Sequence, residues 1–255
     1  MDENQVDLTQ LNDILVNRLR VKRQPVAISY IRGEVPEGYE PSSVVACAIV
    51  REAEQGKRVY VDAQHHDCWV GQYHLGLLEE PDEVIISGEY LTMAQGFFTE
   101  QGARCNKQQS YSLPKGEITA LAAATMHMVT EGMHEDLLVC IVHAQQAMQI
   151  AGAASVREGT FPHGELGPSA CASILAAPCH TNNSVFARGD GGGRAFNKVA
   201  MGEMFISIPK HHFIYIIELV ENFRINPKKM RELIMPSHAP ALETSEQIRH
   251  VEAGA

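Results

Sequence analysis

Three cysteines stand in settings where a thiol could do chemistry. Cys47 and Cys171 each follow an alanine in the first turn of an expected helix, and Cys68 lies in an expected loop between polar residues and a glycine. Unpaired backbone N–H groups at a helix start stabilise a thiolate, so we expect a lowered thiol pKa at Cys47 and Cys171. Three thiolates brought together would hold a metal or an iron–sulfur cluster, because the irons of such clusters prefer sulfur ligands.

A fourth ligand is expected from Cys179, which follows Pro178, or from Cys105 in a polar connection. If no fourth thiolate binds, one iron stays open and can act as a Lewis acid on a substrate. The chain has no Cys-x-x-Cys pair, which excludes a zinc ribbon or a ferredoxin-type cluster. Cys140, inside an apolar run, is typical of a core residue.

Histidines offer a second metal interpretation. His66 and His74 lie close to Cys68 in the sequence, and imidazole with thiolate suits tetrahedral zinc. Both histidines are therefore alternative ligands of a zinc site at Cys68. Haem, which needs only one axial His or Cys, is a further alternative cofactor.

A glycine-rich stretch, Gly189 to Arg194, predicts a tight turn that could bind an anion. The N–H groups of Gly192 and Gly193 would face the anion, and Arg194 would donate two hydrogen bonds to a carboxylate or phosphate. The spacing fits neither a Walker loop nor a dinucleotide fingerprint. We therefore expect a small anionic substrate.

The elements that must position these residues alternate between strands and helices. Apolar runs predict strands at 26–31, 58–63, 83–87, 137–142 and 203–208. Apolar residues at helical spacing predict helices at 8–21, 42–56, 70–78, 90–98, 144–156, 169–177 and 211–223. We expect a long polar connection over 97–116, and periodicity leaves 118–129 open between helix and strand. The pattern predicts an α/β or α+β fold with helices packed on one mixed sheet.

Two stretches of the chain repeat one another. In each, Ala-Cys-Ala begins a helix, and a strand and an Asp-containing loop follow. We interpret them as two related β-α-β-β halves, about 23–95 and 136–223, within a single domain over 1–236. A pseudo-twofold axis between the halves would bring Cys47 and Cys171 together. Residues 237–255 have too little apolar content to pack and predict a flexible tail.

Composition excludes several classes of protein. The chain has 255 residues, 45% of them apolar and 20% charged, which is ordinary globular usage. A net charge of −10 disfavours nucleic acid as a partner, because it repels phosphate backbones. We see no export signal and no apolar run of the ~18 residues that a membrane helix needs. We therefore expect a cytoplasmic protein with reduced thiols, and a homodimer is expected for a domain of this size.

The order of motifs resembles the domain-of-unknown-function 169 family of bacterial and archaeal proteins. The motifs that carry the resemblance lie between about residues 10 and 225: Pro25-Val26-Ala27, Cys47, Cys68-Trp69-Val70-Gly71, Leu75-Gly76-Leu77, Gln145-Gln146-Ala147-Met148, Ala170-Cys171-Ala172, Gly192-Gly193-Arg194 and Ile208-Pro209. The resemblance implies that many members of that family carry a cysteine near the glycine-rich stretch, where this chain has Asp190 and Gly191. The family name implies no activity.

The residues themselves favour an iron–sulfur or other metal-binding protein, as a redox or Lewis-acid enzyme that acts on a small anion or serves a redox partner. A non-enzymatic carrier or sensor of a metal, a haem or a small ligand is the alternative. A thiol enzyme without metal is a third hypothesis.

Overall fold

The computed structural model describes residues 6–222, apart from positions 43, 79–81, 95, 97, 131–132, 166 and 168. The chain divides into two compact units, Met1–Glu221 and Asn222–Ala255, and the sheet and all the cysteines belong to the first. The tail expected at 237–255 lies outside the described residues. In the described part of the chain we find no helix with the length and apolar content that crossing a membrane requires.

The described chain is a mixed α/β structure, as predicted. Its strands are β1 (Val26–Ile31), β2 (Glu40–Pro41), β3 (Val59–Asp62), β4 (Ala120–Thr125), β5 (Leu137–His143), β6 (His163–Glu165), β7 (Val185–Ala187) and β8 (Glu203–Pro209). Its α-helices are α1 (Leu8–Asp13), α2 (Ile49–Glu54), α3 (Trp69–His74), α4 (Glu83–Ile86), α5 (Tyr90–Ala94), α6 (Glu100–Gln108), α7 (Ala144–Glu158), α8 (Ala177–Thr181), α9 (Gly191–Phe196) and α10 (Phe213–Asn222). Short 3₁₀ turns cover Ala46–Ala48, Met126–Met128 and Lys210–His212, and π-helical turns cover Ile14–Arg18 and Cys171–Ala176.

The strands form one sheet in the order β2-β3-β4-β1-β5-β8-β7-β6. The two edge pairs, β2 with β3 and β6 with β7, are parallel, and the other neighbours are antiparallel. Read outward from β1 the strands are β4, β3 and β2, and read outward from β5 they are β8, β7 and β6. The two halves of the sheet therefore have the same arrangement of strands. The duplication of the sequence itself stays a prediction.

The two faces of the sheet carry different cores, because successive side chains of a strand point to opposite sides. On β5, Val139 packs with residues of α2 and of the π-helical turn that begins at Cys171. Its neighbour Cys140 packs on the other face with α1, α7 and α10, as its expected core role requires. Cys47 and Cys171 thus share one face of the sheet, and Cys140 does not belong to it.

The prediction of a strand at 83–87 is wrong, since residues 83–86 form helix α4. The carboxylate of Asp82 caps this helix by accepting a hydrogen bond from the backbone N–H of Val84 at 3.1 Å. Gly88, with φ +79°, follows the helix in the left-handed conformation. The run is too short for its periodicity to separate a strand from a helix, so these local caps decided the outcome.

Three further expectations about the chain are wrong. The connection over 97–116 contains helix α6, which Thr99 caps through the N–H of Gly102 at 3.0 Å. The stretch Gly189 to Arg194 contains the start of helix α9, capped by Asp190. The helix expected at 169–177 is not ended by Pro178, which lies in the first turn of α8, where a missing N–H costs nothing. The open segment 118–129 contains strand β4.

The π-helical turn at Cys171 is held by side chains of the sheet. A π turn leaves backbone carbonyls without regular helical partners. The hydroxyl of Ser207 donates to the carbonyl of Ile174 at 2.7 Å, and the hydroxyl of Tyr30 donates to the carbonyl of Leu175. Strands β8 and β1 therefore fix the segment that carries Cys171.

We predict that Ser207→Ala lowers the free energy of unfolding by about 1–3 kcal/mol, because the buried carbonyl of Ile174 loses its donor. Urea denaturation followed by circular dichroism measures the change. The control is Ser87→Ala, since the hydroxyl of Ser87 accepts a surface hydrogen bond from the N–H of Glu89 at 3.3 Å. Equal stability of the two variants would contradict this account of the turn.

Candidate functional site

The structure brings Cys47, Cys68 and Cys171 together. The thiol of Cys171 lies against the thiol of Cys47, and the two interact through their sulfur atoms. The Sγ atoms of Cys68 and Cys171 lie 3.2 Å and 3.5 Å from the point where a Cβ on Gly71 would stand. Cys47 and Cys171 are buried, and Cys68 is partly buried. Residues from two halves of the chain thus form one group, the cysteine cluster.

Asp190 joins the cysteine cluster in a position that matches that of Cys68. The Sγ of Cys68 accepts hydrogen bonds from the backbone N–H groups of Gly71, at 3.4 Å, and of Ala46. The carboxylate of Asp190 accepts hydrogen bonds from the N–H groups of Gly193 and, at 3.2 Å, of Ala170. Each side chain therefore caps a short helix and also binds the residue just before a cysteine.

Two glycines let these elements approach so closely. A Cβ on Gly71 would stand 2.4 Å from the Cβ of Ala46, and a Cβ on Gly193 would stand 2.5 Å from the Cβ of Ala170. Real Cβ atoms do not come this close, so any other residue would push the segments apart. Glycine at these two positions sets the separation of Cys68 and Asp190 from the other two cysteines.

A buried amide fixes the segment of Cys47. The side chain of Asn197 is fully buried; its Nδ2 donates to the carbonyl of Cys47 at 3.2 Å, and its Oδ1 accepts from the N–H of Arg51 at 3.1 Å. Arg23 donates in turn to the carbonyl of Asn197 at 2.8 Å and forms a partly buried ion pair with Glu54. The end of α9 is thereby tied to the segment that carries Cys47.

Burial keeps two of these thiols protonated, contrary to the expected lowering of a pKa at a helix start. Contact with the Cys47 thiol, followed by burial, raises the pKa of Cys171 well above its usual value. Burial, followed by the charge of Cys171, raises the pKa of Cys68. The segments 46–48 and 171–176 are not α-helices, and removal from water outweighs the few N–H groups they offer. Cys68 and Cys171 are therefore neutral thiols in the free protein.

Sequence reasoning missed a tyrosine beside the cysteine cluster. The hydroxyl of Tyr90 is buried, and it has no hydrogen-bond partner among the described residues. Burial is the largest cause of the raised pKa of Tyr90, and electrostatic interaction with Asp190 and Cys171 raises this pKa further. Spacing along the chain gave no signal for this neighbour, because α5 reaches the site only through the packing of the segment between β3 and β4. Tyr90 presents an unused donor to the cysteine cluster.

The other cysteines lie elsewhere. The thiol of Cys179 interacts with the hydroxyl of Tyr30, and its further electrostatic partners include Glu117 and Asp136. Cys105 is exposed on α6. The structure therefore brings neither of the two expected fourth ligands to the cysteine cluster.

The expected zinc ligands do not form a compact group with Cys68. The ring of His74 is buried, with Nδ1 donating to the carbonyl of Tyr111 at 2.8 Å. The ring of His66 is buried near the backbone of Ser42, and burial lowers its pKa. Within the described ranges, no three His, Cys, Asp or Glu side chains have the arrangement of ligands around a metal ion.

The glycine-rich stretch has a structural role. The guanidinium of Arg194 donates to the carbonyls of Arg188, Ala200 and Glu203 at 3.0, 2.8 and 3.1 Å. The N–H of Gly193 is taken by Asp190. Arg194 thus clamps the chain between α9 and β8, and a role of Arg194, Gly192 or Gly193 in substrate binding stays a prediction.

Fold and site define a mixed α/β protein with a buried cluster of three thiols and one carboxylate. Residues 14–219 match the model of the DUF169 family, described as an uncharacterised ArCR, and the chain belongs to that family. It is 24% identical over 204 residues to the uncharacterized protein MJ0308 of Methanocaldococcus jannaschii, an alignment that covers 78% of this chain and 86% of the relative. No solved structure matches the chain.

We predict that Gly71→Ala and Gly193→Ala each destabilise the protein by about 1–3 kcal/mol, because the new methyl group overlaps an alanine. The matched control is Gly152→Ala in α7, where a Cβ meets nothing within 4 Å. That control should stabilise the protein by about 0.5–1 kcal/mol through helix propensity. Thermal denaturation of the three variants measures these changes. Unchanged stability of Gly71→Ala and Gly193→Ala would contradict the close contact of these glycines with Ala46 and Ala170.

Acid should destabilise the protein through its buried histidines. Burial lowers the pKa of His74 to about 3 and that of His212 to about 4. Because the unfolded chain binds these protons near pH 6.5, stability is full above that pH and falls as the pH drops toward the folded values. We expect a loss of about 2–4 kcal/mol between pH 7.5 and pH 5.

Urea denaturation at the two pH values measures this loss. His74→Gln should reduce it, whereas His127→Gln should leave it unchanged because His127 is exposed. An equal loss in wild type and His74→Gln would show that His74 does not titrate as inferred.

Proposed function

We propose that this protein is a cytoplasmic iron–sulfur protein in which Cys47, Cys68 and Cys171 hold the cluster. The observation that supports the proposal is the convergence of three thiols from distant parts of the sequence on one face of the sheet. The iron–sulfur cluster would serve redox or Lewis-acid chemistry on a small anionic substrate.

A single ion and an iron–sulfur cluster make different demands on the positions of the sulfur atoms. A zinc ion needs all its thiolates at about 2.3 Å from one point. In a [4Fe–4S] cluster each thiolate binds a different iron, so the sulfurs stand around the cluster and not around a point. Among the described residues no three ligands surround a single point, so the proposal assigns the three neighbouring thiols to separate irons.

The raised pKa values argue against a thiol enzyme without metal. A nucleophilic cysteine needs a thiolate, and burial disfavours one at Cys68 and Cys171. A metal changes this balance, because a coordinating thiol loses its proton. The protonated thiols are thus suited to binding a metal with the release of protons.

A buried lysine supports an anionic substrate. The side chain of Lys107 is buried, and burial lowers its pKa to about 8. Its Nζ lies 3.9 Å from the ring centroid of Tyr73, and it takes part in none of the ion pairs seen in the described part of the chain. A buried cation without a carboxylate is stabilised by an anion, and Tyr73 belongs to the same helix, α3, that Cys68 caps.

We expect protein purified without air, or reconstituted with iron and sulfide, to contain both elements and to absorb broadly in the visible range. Cys47→Ala, Cys68→Ala and Cys171→Ala should each lose most of this absorption. Cys105→Ala and Cys179→Ala are the matched controls and should keep it. Trp69, which follows Cys68 and is 61% exposed, should show quenched fluorescence on reconstitution.

Other results would replace the proposal. Full iron and sulfide in all three cysteine variants would contradict it. Zinc alone would favour a site at Cys68 with His66 or His74, and an intense sharp band would favour haem. Retention of a bound group without turnover would favour the carrier or sensor. A homodimer stays a prediction that gel filtration of the same sample tests.

A further inference from the structure

We propose that Lys107 is a nucleophilic amine that forms an imine with a small 2-oxo acid between helices α3 and α6. The inference goes beyond the iron–sulfur cluster and does not depend on it. From the proposed function it takes only the anionic nature of the substrate. It adds a second reactive group and names a chemical class, the 2-oxo acids, for that substrate.

Packing removes the side chain of Lys107 from water and fixes its position. Lys107 is 5% exposed, and its Nζ lies 3.9 Å from the centroid of the Tyr73 ring, a cation–π contact. A Cβ on Gly88 would stand 2.7 Å from the Cβ of Lys107, so α6 lies close against the turn after α4. The surface lysine Lys57 differs, because its Nζ pairs with Glu52 at 2.9 Å.

The amine of Lys107 loses its proton more easily than that of a surface lysine. Burial lowers the pKa of Lys107 to about 8, whereas the hydrogen bond and charge of Glu52 raise the pKa of Lys57. Only a neutral amine has the lone pair that attacks a carbonyl carbon, and desolvated lysines are the ones that form Schiff bases. At pH 8 a large share of the Lys107 side chains therefore has a free lone pair.

His74 is an independent observation that points to a ligand. Its ring is fully buried, and because Nδ1 donates to the carbonyl of Tyr111, Nε2 keeps a lone pair. This Nε2 has no hydrogen-bond partner among the residues that the structure describes. A buried acceptor of this kind normally has a partner, which here a bound group would supply. The His74 ring contacts the ring of Tyr73, with centroids 5.2 Å apart, and Lys107 contacts the same ring.

A cavity next to these residues is large enough for a small substrate. Its volume is about 530 Å³, and it is lined by Asn106, Tyr111 and His163. Asn106 precedes Lys107 in α6, and the carbonyl of Tyr111 accepts the hydrogen bond of His74. The cavity therefore adjoins both segments that hold the reactive groups.

The missing carboxylate partner of Lys107 favours a 2-oxo acid over a simple ketone. A buried cation needs a counter-ion, and the carboxylate of a 2-oxo acid supplies one before the reaction. The imine takes up one proton once it has formed, so the carboxylate stays the counter-ion of a positive charge. A 2-oxo acid thus brings together the carbonyl that the amine attacks and the charge that the site lacks.

The covalent step balances without a further reactant. The nitrogen of Lys107 forms a bond to the carbonyl carbon, and the bond between that carbon and its oxygen breaks. The oxygen leaves as water with the two protons of the amine, and no atom is oxidised or reduced. The lone pair on Nε2 of His74 accepts a proton from the nitrogen and returns it to the leaving oxygen.

The test uses the full-length protein as purified at pH 8, with pyruvate as the probe and cyanoborohydride as the trap. Cyanoborohydride reduces an imine to a stable secondary amine, so peptide mass spectrometry identifies each lysine that has reacted. We expect Lys107 to be labelled about tenfold faster than Lys57. Acetone, a ketone of similar size without a carboxylate, should label Lys107 far less. Lys107→Met should lose this label and keep the slow label at Lys57.

His74→Gln should slow the labelling of Lys107 about tenfold or more and leave the half-saturating pyruvate concentration unchanged. The matched control is His127→Gln on the surface, which should label as the wild type does. An unchanged rate in His74→Gln would overturn the role of His74.

The peptide map of the wild type decides the inference even if a variant fails to fold. Equal labelling of Lys107 and Lys57 by pyruvate would overturn it, and so would equal labelling of Lys107 by acetone and pyruvate. Both outcomes leave the iron–sulfur proposal standing. Absence of iron and sulfide from the reconstituted protein would overturn that proposal and leave the label at Lys107 unaffected.

Discussion

The close approach of two glycine-containing helices to two alanines is the constraint on which the site depends. Gly71 in α3 lies against Ala46, and Gly193 in α9 lies against Ala170, at separations that leave no room for a side chain. Because a cysteine follows each alanine, this packing decides where Cys47 and Cys171 stand. The residues that cap the two helices, Cys68 and Asp190, are placed by the same contacts.

The same packing removes the thiols from water, and this determines their chemistry. Burial keeps Cys68 and Cys171 protonated, so these thiols have little nucleophilic reactivity as they stand. Binding of a metal would exchange those protons for metal–sulfur bonds and would stabilise the fold by the free energy of binding. Occupancy of the site by a metal would therefore be linked to the stability of the fold.

The two halves of the sheet follow one strand order, yet their contributions to the site differ. The segment between β3 and β4 contains α3 to α6 and includes Tyr90, whereas the segment between β7 and β8 contains only the short helix α9 among its described residues. One half thus supplies the carboxylate of Asp190, and the other supplies the hydroxyl of Tyr90. The two halves of the sheet therefore place different polar groups beside the cysteine cluster.

The sequence by itself determined several elements: the strands β1, β5 and β8 follow from short apolar runs, and the helix α7 follows from apolar residues at helical spacing. It also indicated, through the repeated Ala-Cys-Ala, that Cys47 and Cys171 belong together with Cys68. Only the tertiary structure decided that 83–86 is a helix, that Asp190 and not Cys179 joins the cysteines, and that Tyr90 lies beside them. The physical reason is that burial and close packing act between residues distant in the chain, where local spacing carries no information.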